Sequence, residues 1–224
     1  MPGNVSLDFA NTVEWHAGPN PEERLTSYAA ALDWGLKHGL LTDSQVQVLR
    51  EKAQTCPGDE AEALRRIVAL REAVYRIFSA LSHRAPLASA DLETLNAELT
   101  EALPHVRLVV TEGFGAAGEM GAAGQGAGPP TAERDAGSLP GFEWAWTGME
   151  DHLTSLLWPV ARSATDLLTS RQLVQVRECA DDACGWLFLD TTKNASRRWC
   201  DMADCGNRAK ARRYRARRKE AVHE

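Results

Sequence analysis

The sequence contains no long run of apolar residues and no pattern typical of a leader. No apolar stretch approaches the roughly 20 residues that a membrane-spanning helix needs. The first eight residues lack a basic region followed by an apolar stretch, so we expect no secretory signal. We therefore expect a cytoplasmic protein with no membrane partner. In that reducing compartment clustered cysteines indicate metal binding more than disulfides.

Catalytic signatures are also missing. The sequence has neither a Gly-x-Ser-x-Gly nor a Gly-x-Gly-x-x-Gly motif in a fitting context, and its six histidines are scattered without metal-ligand spacing. Residues 113–141 are rich in Gly, Ala and Pro but lack the Gly-Lys-Ser/Thr ending of a phosphate-binding loop, which favours a mobile loop over a phosphate site. We expect no enzymatic activity.

The chain has 224 residues, of which 44% are hydrophobic, and this composition indicates a globular protein. We expect it to be mainly helical. Apolar residues at helical spacing predict helices over residues 22–38, 43–53, 59–83, 89–102 and 148–169. Pro57-Gly58 is expected to form a turn, and Pro159 to kink the last of these helices. Alternating segments at 106–110 and 142–146 predict a β-hairpin. The expected class is mainly α with a small β-hairpin (α+β).

The net charge of −6 conceals an uneven distribution. Residues 171–224 hold 13 Lys and Arg against 8 Asp and Glu, a net +5, which leaves −11 for residues 1–170. An acidic body with a basic tail indicates two parts with different partners, and the basic part suits a polyanion.

Four of the five cysteines form two close pairs. Fifteen residues separate Cys179-x4-Cys184 from Cys200-x4-Cys205, so two tight turns can each supply two thiolates to one tetrahedral zinc ion. Iron–sulfur ligation and a pair of disulfides are the alternatives, although iron–sulfur motifs commonly use closer spacing. Four thiolates leave no open position for water, so the expected zinc is a single structural ion.

The residues around these pairs predict how the metal-binding segment folds. Gly185 permits the backbone turn after Cys184, and residues 185–190 are typical of a strand. A helix is expected from about Cys205 to Lys219, with alanines as strong helix formers. A turn and hairpin followed by a helix that supplies the last ligand is a treble-clef-like layout.

The predicted last helix is basic on nearly all sides. It has eight basic and no acidic residues from Arg208 to Lys219, too many charges to be buried against protein, whereas phosphate attraction explains them. DNA is the favoured partner; RNA and an acidic protein surface are the alternatives. Asn207 could read adenine or cap a turn, and Tyr214 is expected to pack on the metal core. The predicted nucleic-acid contacts are Arg197, Arg198, Asn207, Arg208, Lys210, Arg212, Arg213, Arg215, Arg217, Arg218 and Lys219.

Arg71 lies on the apolar stripe of the helix predicted over residues 59–83. Because an unpaired buried charge is very costly, we expect an acidic partner, and we prefer Asp8. A structural ion pair is the simpler interpretation. The alternative hypothesis is a pocket for a small effector. Its lining would be Asn11, Trp15, His16 and Arg71.

The motif Cys205-Gly206-Asn207-Arg208, preceded by Arg197-Arg198-Trp199-Cys200 and by the segment 184–190, resembles the CGNR-type zinc finger over residues 175–219. The segments 7–12 and 70–74 resemble the ABATE domain, expected over residues 1–170, and residues 220–224 are a tail. The resemblance implies a bacterial, stress-linked transcription regulator whose finger binds DNA. We expect the amino-terminal domain to be its sensor or dimerisation module. The insert at 113–141 departs from the family pattern. A homodimer and an RNA-binding or protein-interaction module are left open.

Overall fold

A computed structural model describes residues 4–111 and 141–220. Most of the described residues are helical, and the strands form small antiparallel pairs, which confirms the mainly α class. The predicted insert, apart from Gly141, and the tail beyond Glu220 lie outside the described residues. The elements in chain order are α1 Val5–Ala10, β1 Val13–Glu14, β2 Glu22–Glu23, α2 Tyr28–Lys37, α3 Asp43–Thr55, α4 Pro57–Ser82, α5 Ser89–Ala102, β3 Val106–Thr111, β4 Gly141–Trp146, α6 Leu157–Thr169, β5 Val176–Glu178, β6 Leu187–Leu189 and α7 Asn207–Glu220.

The chain divides into two compact units, His105–Thr147 and the remainder. The smaller unit is the predicted hairpin, in which β3 pairs with β4 so that Leu108 faces Trp144. The larger unit contains both the helices and the four-cysteine segment. The predicted domain limits at residues 170 and 175 stay a prediction.

The core of the larger unit is built around α4. This helix contacts α1, α2, α3, α5 and α6. Its buried stripe includes Ile67, Leu70, Val74 and Phe78, each less than 2% exposed. Trp158 of α6 is also fully buried. Burying each such side chain stabilises the fold by about 1.5–3 kcal/mol.

Two helices begin at different residues from those predicted. Ser27 caps α2 by accepting a hydrogen bond from the Ala30 N–H, so the helix begins at Tyr28 and not at residue 22. Residues 22–23 pair instead with Val13–Glu14. Pro57 is the first residue of α4, where its missing N–H has no helical partner to lose, so the predicted turn at Pro57-Gly58 is wrong.

The helix predicted over residues 148–169 is shorter than expected. A 3₁₀ turn, Met149–Asp151, precedes it, and α6 begins at Leu157. Pro159 therefore lies in the first turn, where proline is tolerated, and the predicted mid-helix kink is wrong. By contrast, α3 begins as predicted, with Thr42 and Gln45 forming a capping box.

The short sheet of the cysteine segment packs against the helices. Strand β5 pairs with β6, and this sheet contacts α1 and α4. Val176, Leu187 and Phe188 are buried. Within the described ranges 4–111 and 141–220, no helix is both long and apolar enough to cross a membrane.

Candidate metal centre and basic helix

Four sulfur atoms converge after β5. The Sγ atoms of Cys179, Cys184, Cys200 and Cys205 all lie within 4.8 Å of one another. The Cys200 sulfur lies 3.7 Å from that of Cys184 and 3.5 Å from that of Cys205, too far for disulfide bonds. Zn–S bonds of about 2.3 Å in a tetrahedron place the sulfurs roughly 3.8 Å apart. The cluster therefore fits the ligand spacing of one zinc ion.

The thiols of this cluster form hydrogen bonds with one another. The hydrogen bond with Cys200 lowers the pKa of the Cys184 thiol to about 6, although burial opposes that shift. The same contact, together with burial, raises the pKa of Cys200. A metal ion replaces such shared protons, because only thiolates ligate it.

The first metal-binding turn is a tight loop closed by backbone hydrogen bonds. The Cys179 N–H donates to the Trp186 carbonyl at 2.9 Å, and the Cys184 N–H donates to the Asp181 carbonyl at 2.9 Å. Gly185 follows with φ +69°, the left-handed conformation that glycine adopts without steric cost. The predicted role of this glycine is confirmed.

The second turn is a short π-helical segment, Met202–Gly206, and not the start of the predicted helix. Asp201 caps it by accepting a hydrogen bond from the Ala203 N–H at 2.6 Å. Cys205 lies within it and is 1% exposed. Because α7 begins only after this segment, the last ligand lies just before the basic helix and fixes its first turn.

Asp190 closes the excursion between the two turns, and the sequence prediction missed it. This carboxylate is 2% exposed and accepts hydrogen bonds from the Thr192 N–H, the Thr192 hydroxyl and the Arg197 N–H. Burial opposes ionisation, but these donors hold the pKa of Asp190 below its usual value. An Asp followed by two threonines is a signal for such a turn.

The cysteine segment is joined to the helical body by buried polar contacts. The Asn11 amide donates to the Leu187 carbonyl and accepts from the Leu187 N–H, both at 2.8 Å. Glu178 of β5 accepts hydrogen bonds from two α4 side chains, Tyr75 and Ser79. These contacts place the metal-binding segment in a defined position on the body.

Two family models match the sequence. Residues 3–171, more than half of the chain, match ABATE, described as "Putative stress-induced transcription regulator". Residues 175–218 match the CGNR zinc finger.

The chain belongs to the ABATE family.

Together with the sulfur cluster, the second match shows that the CGNR finger holds one structural zinc. No protein of curated function matches this ABATE-family chain.

Two of the arginines predicted to contact nucleic acid are engaged inside the finger. Arg208 donates to the Cys205 sulfur, to Asp204 and to Asp181. Arg212 donates to the same Asp181 oxygen at 3.2 Å. Asp181 is 3% exposed, and no sequence pattern had indicated it. The Arg208 guanidinium is thus held by groups of the metal site, and its predicted contact with nucleic acid stays a prediction.

Other residues that were predicted to contact nucleic acid also interact with protein groups near the metal site. The Arg197 guanidinium donates to the carbonyls of Trp199 and Cys200, so it braces the second turn. Arg198 is exposed, with its guanidinium carbon 5.1 Å from the centre of the Trp199 ring. Asn207 donates to the Ala203 carbonyl at 2.8 Å, which favours the capping role over base reading.

Four of the five exposed basic side chains described on α7 differ from Arg212 in their contacts. In the described part of the chain none of the four has an ion pair or a hydrogen bond. Tyr214 is 66% exposed, so its predicted packing on the metal core is wrong. The side chains of Arg217 and Lys219 lie outside the described set. These four residues are Lys210, Arg213, Arg215 and Arg218.

Arg71 is buried, as expected, but its preferred partner is wrong. Its guanidinium donates to both carboxylate oxygens of Glu23 at 2.6 Å and to Glu72 at 2.7 Å, and not to Asp8. Glu72 also bonds to His16 Nε2 at 3.1 Å. This hydrogen bond lowers the pKa of Glu72 to about 2, against the effect of burial. The observed network supports the structural ion pair.

The four residues of the predicted effector pocket have different surroundings in the described structure. Trp15 lines a cavity of about 340 Å³ beside the metal site, together with Trp186, Asp201 and Arg208. Asn11 is bonded to Leu187, while His16 and Arg71 belong to the network around Glu72. A small-molecule effector and a homodimer stay predictions.

Proposed function

We propose that this chain regulates transcription by binding DNA through the exposed side of α7, with the structural zinc fixing the start of that helix. The observation that supports this most directly is the exposure of Lys210, Arg213, Arg215 and Arg218 without acidic partners among the described residues. Each can neutralise a phosphate and release counterions, and arginine matches phosphate oxygens with two donors.

The distribution of charge supports the same proposal. Residues 1–170 carry a net −11, so the body repels a polyanion while α7 attracts it. Only one orientation, with α7 towards the phosphates, is then favourable. The exposed Tyr214 offers an aromatic ring on the same helix for contact with a sugar or a base.

Catalysis has no place in this proposal. A zinc ion held by four thiolates has no open position at which to activate water, so its role is to hold the finger. A regulator of this kind would act in the cytoplasm, where the DNA of a bacterial cell lies.

The test is the salt dependence of duplex binding, measured by fluorescence anisotropy on the zinc-loaded chain. Four phosphate contacts predict a slope of about −3.6 for the logarithm of the association constant against that of salt concentration. Arg213→Ala with Arg215→Ala should reduce that slope by about 1.8. Arg171→Ala, which removes an exposed arginine outside α7, should leave it unchanged.

The outcome decides between the proposal and its alternatives. Absence of affinity for any duplex, or binding that ignores salt, would contradict DNA binding. Tighter binding to RNA than to a duplex of the same sequence would favour the RNA-binding module. Association with an acidic protein that survives nuclease treatment, but is lost with Arg213→Glu, would favour the protein-interaction module.

A further inference from the structure

Arg208 contacts three parts of the chain at once. Its Nη2 atom donates to the Cys205 sulfur at 2.8 Å, its Nη1 atom to Asp204 at 2.6 Å and its Nε atom to Asp181 at 3.3 Å. Its guanidinium carbon lies 4.2 Å from the centre of the Trp15 ring. The first metal-binding turn, the second turn and the amino-terminal body therefore meet at one side chain.

We propose that Arg208 is a positioning residue of the zinc centre, which stabilises the Cys205 thiolate and joins both metal-binding turns to Trp15 of the body. The proposal concerns zinc retention and does not depend on DNA binding. It also means that the arginine of the Cys-Gly-Asn-Arg motif is not one of the DNA contacts.

The charge of the metal site explains why a cation is needed there. Four thiolates around one zinc ion leave a net charge of −2 on a centre whose ligands are mostly buried. A charge-assisted hydrogen bond from Arg208 to the Cys205 sulfur offsets part of that charge. Groups that orient and support a metal ligand typically change metal affinity 10- to 100-fold.

Asp181 holds the guanidinium in place. This carboxylate is 3% exposed, accepts from both Arg208 and Arg212, and also from the Ala183 N–H of the first turn. The carboxylate thus connects the first turn to α7.

Trp15 is fixed against the finger by its own segment. It has φ 57°, a left-handed conformation that is uncommon for a bulky residue. The His16 N–H donates to the Cys184 carbonyl at 3.1 Å, and the Gly18 N–H donates to the Trp15 carbonyl at 2.8 Å. The ring is thereby held where the guanidinium lies against it as a cation–π contact.

The first experiment measures the rate of zinc release from the full chain to a chromogenic chelator. Arg208→Ala should release zinc about 10- to 100-fold faster than the parent chain. Arg208→Lys keeps the charge but cannot reach all its partners at once, so its rate should be intermediate. Arg213→Ala, on the exposed side of α7, is the matched control and should release zinc at the parent rate.

The second experiment tests the link to the body. Trp15→Ala should also speed release, whereas Trp15→Phe, which keeps an aromatic face, should stay close to the parent rate. Because the two side chains act through one contact, Trp15→Ala combined with Arg208→Ala should release zinc more slowly than the product of the two single effects predicts.

A spectroscopic readout separates support of the thiolate from a general loss of stability. In the cobalt-substituted chain, loss of the hydrogen bond raises the energy of the sulfur lone pair. The thiolate-to-cobalt charge-transfer band of Arg208→Ala should therefore move to longer wavelength, and that of Arg213→Ala should not. If Arg208→Ala does not fold, Arg208→Lys and Trp15→Ala provide the same measurements.

The proposal is overturned if Arg208→Ala retains zinc at the parent rate with an unchanged cobalt spectrum. It is also overturned if the effects of Trp15→Ala and Arg208→Ala are independent. Neither result depends on DNA. Failure of the salt-dependence experiment would contradict the proposed function and leave this inference intact.

Discussion

Replacing Asn11 with alanine tests whether the finger and the helical body form one cooperative structure. The Asn11 side chain is 5% exposed and makes two hydrogen bonds of 2.8 Å with the backbone of Leu187, across 176 residues of sequence. Alanine removes both partners and leaves the N–H and the carbonyl of a buried strand residue without them.

The expected magnitude follows from those two orphaned groups. Leaving a buried backbone donor or acceptor unsatisfied costs about 1–3 kcal/mol, so Asn11→Ala should lower the free energy of unfolding by about 2–6 kcal/mol. Asn11→Asp keeps the shape but places a carboxylate oxygen against the Leu187 carbonyl, so it should be at least as destabilising. Domains of this kind are stable by only about 5–15 kcal/mol, which makes the effect easy to detect.

The assay is urea unfolding of the zinc-loaded chain, followed by tryptophan fluorescence and by circular dichroism. Asn11→Ala should lower the midpoint by about 1–3 M, given a slope of about 2–3 kcal/mol/M. Asn96→Ala is the matched control, because Asn96 is exposed on α5, and it should change stability by less than about 0.5 kcal/mol. If Asn11→Ala behaves like this control, the two hydrogen bonds do not hold the finger on the body.

Three further predictions follow from the metal site and its surroundings. Gly185→Ala should cost at least about 2 kcal/mol and lower the zinc content measured by elemental analysis, because its Cβ would lie 2.8 Å from the Ala17 nitrogen at a φ of +69°. Removing zinc with a chelator should reduce the helical circular dichroism signal of α7 and, if the proposed function holds, duplex binding; added zinc should restore both. Glu72→Gln should change how stability depends on pH in acid. The pKa of Glu72 in the folded chain is about 2, below the ordinary 4.5, so the ionised carboxylate stabilises the fold above about pH 4.5. This contribution is lost as the pH falls towards 2. The stability gap between the parent chain and Glu72→Gln should therefore narrow over that range, and a gap that stays constant would contradict this.

Features encoded over a few residues were predictable. The cysteine spacing predicted the metal cluster, the glycine after Cys184 predicted its left-handed turn, and the helical spacing over residues 43–53 predicted the start of α3. Each of these rests on local backbone geometry that one stretch of sequence determines by itself.

Contacts between distant segments were not predictable from pattern. Arg71 was expected on a buried stripe, but its partner Glu23 lies 48 residues away. Glu23 belongs to a short strand in a segment for which a helix had been predicted. Asp181 is one of two acidic residues between Cys179 and Cys184, and nothing in the sequence distinguishes it, yet folding buries it against α7. Spacing determines which side chains share a face, whereas the packing of the elements determines which faces meet.

Contacts between distant segments also limit how many basic residues of α7 can bind phosphate. Counted from sequence, eight basic residues from 208 to 219 would give a salt slope of about −7 if every one met a phosphate. Arg208 and Arg212 both donate to the buried Asp181, whose carboxylate would lose its partners if they left. Six residues then remain, which limits the slope to about −5.4 unless other surfaces take part or the two arginines are released from Asp181. If the slope is steeper and Asp181→Asn leaves it unchanged, the additional phosphate contacts lie outside α7. If Asp181→Asn makes the slope steeper still, Arg208 and Arg212 can be released from the metal site to DNA.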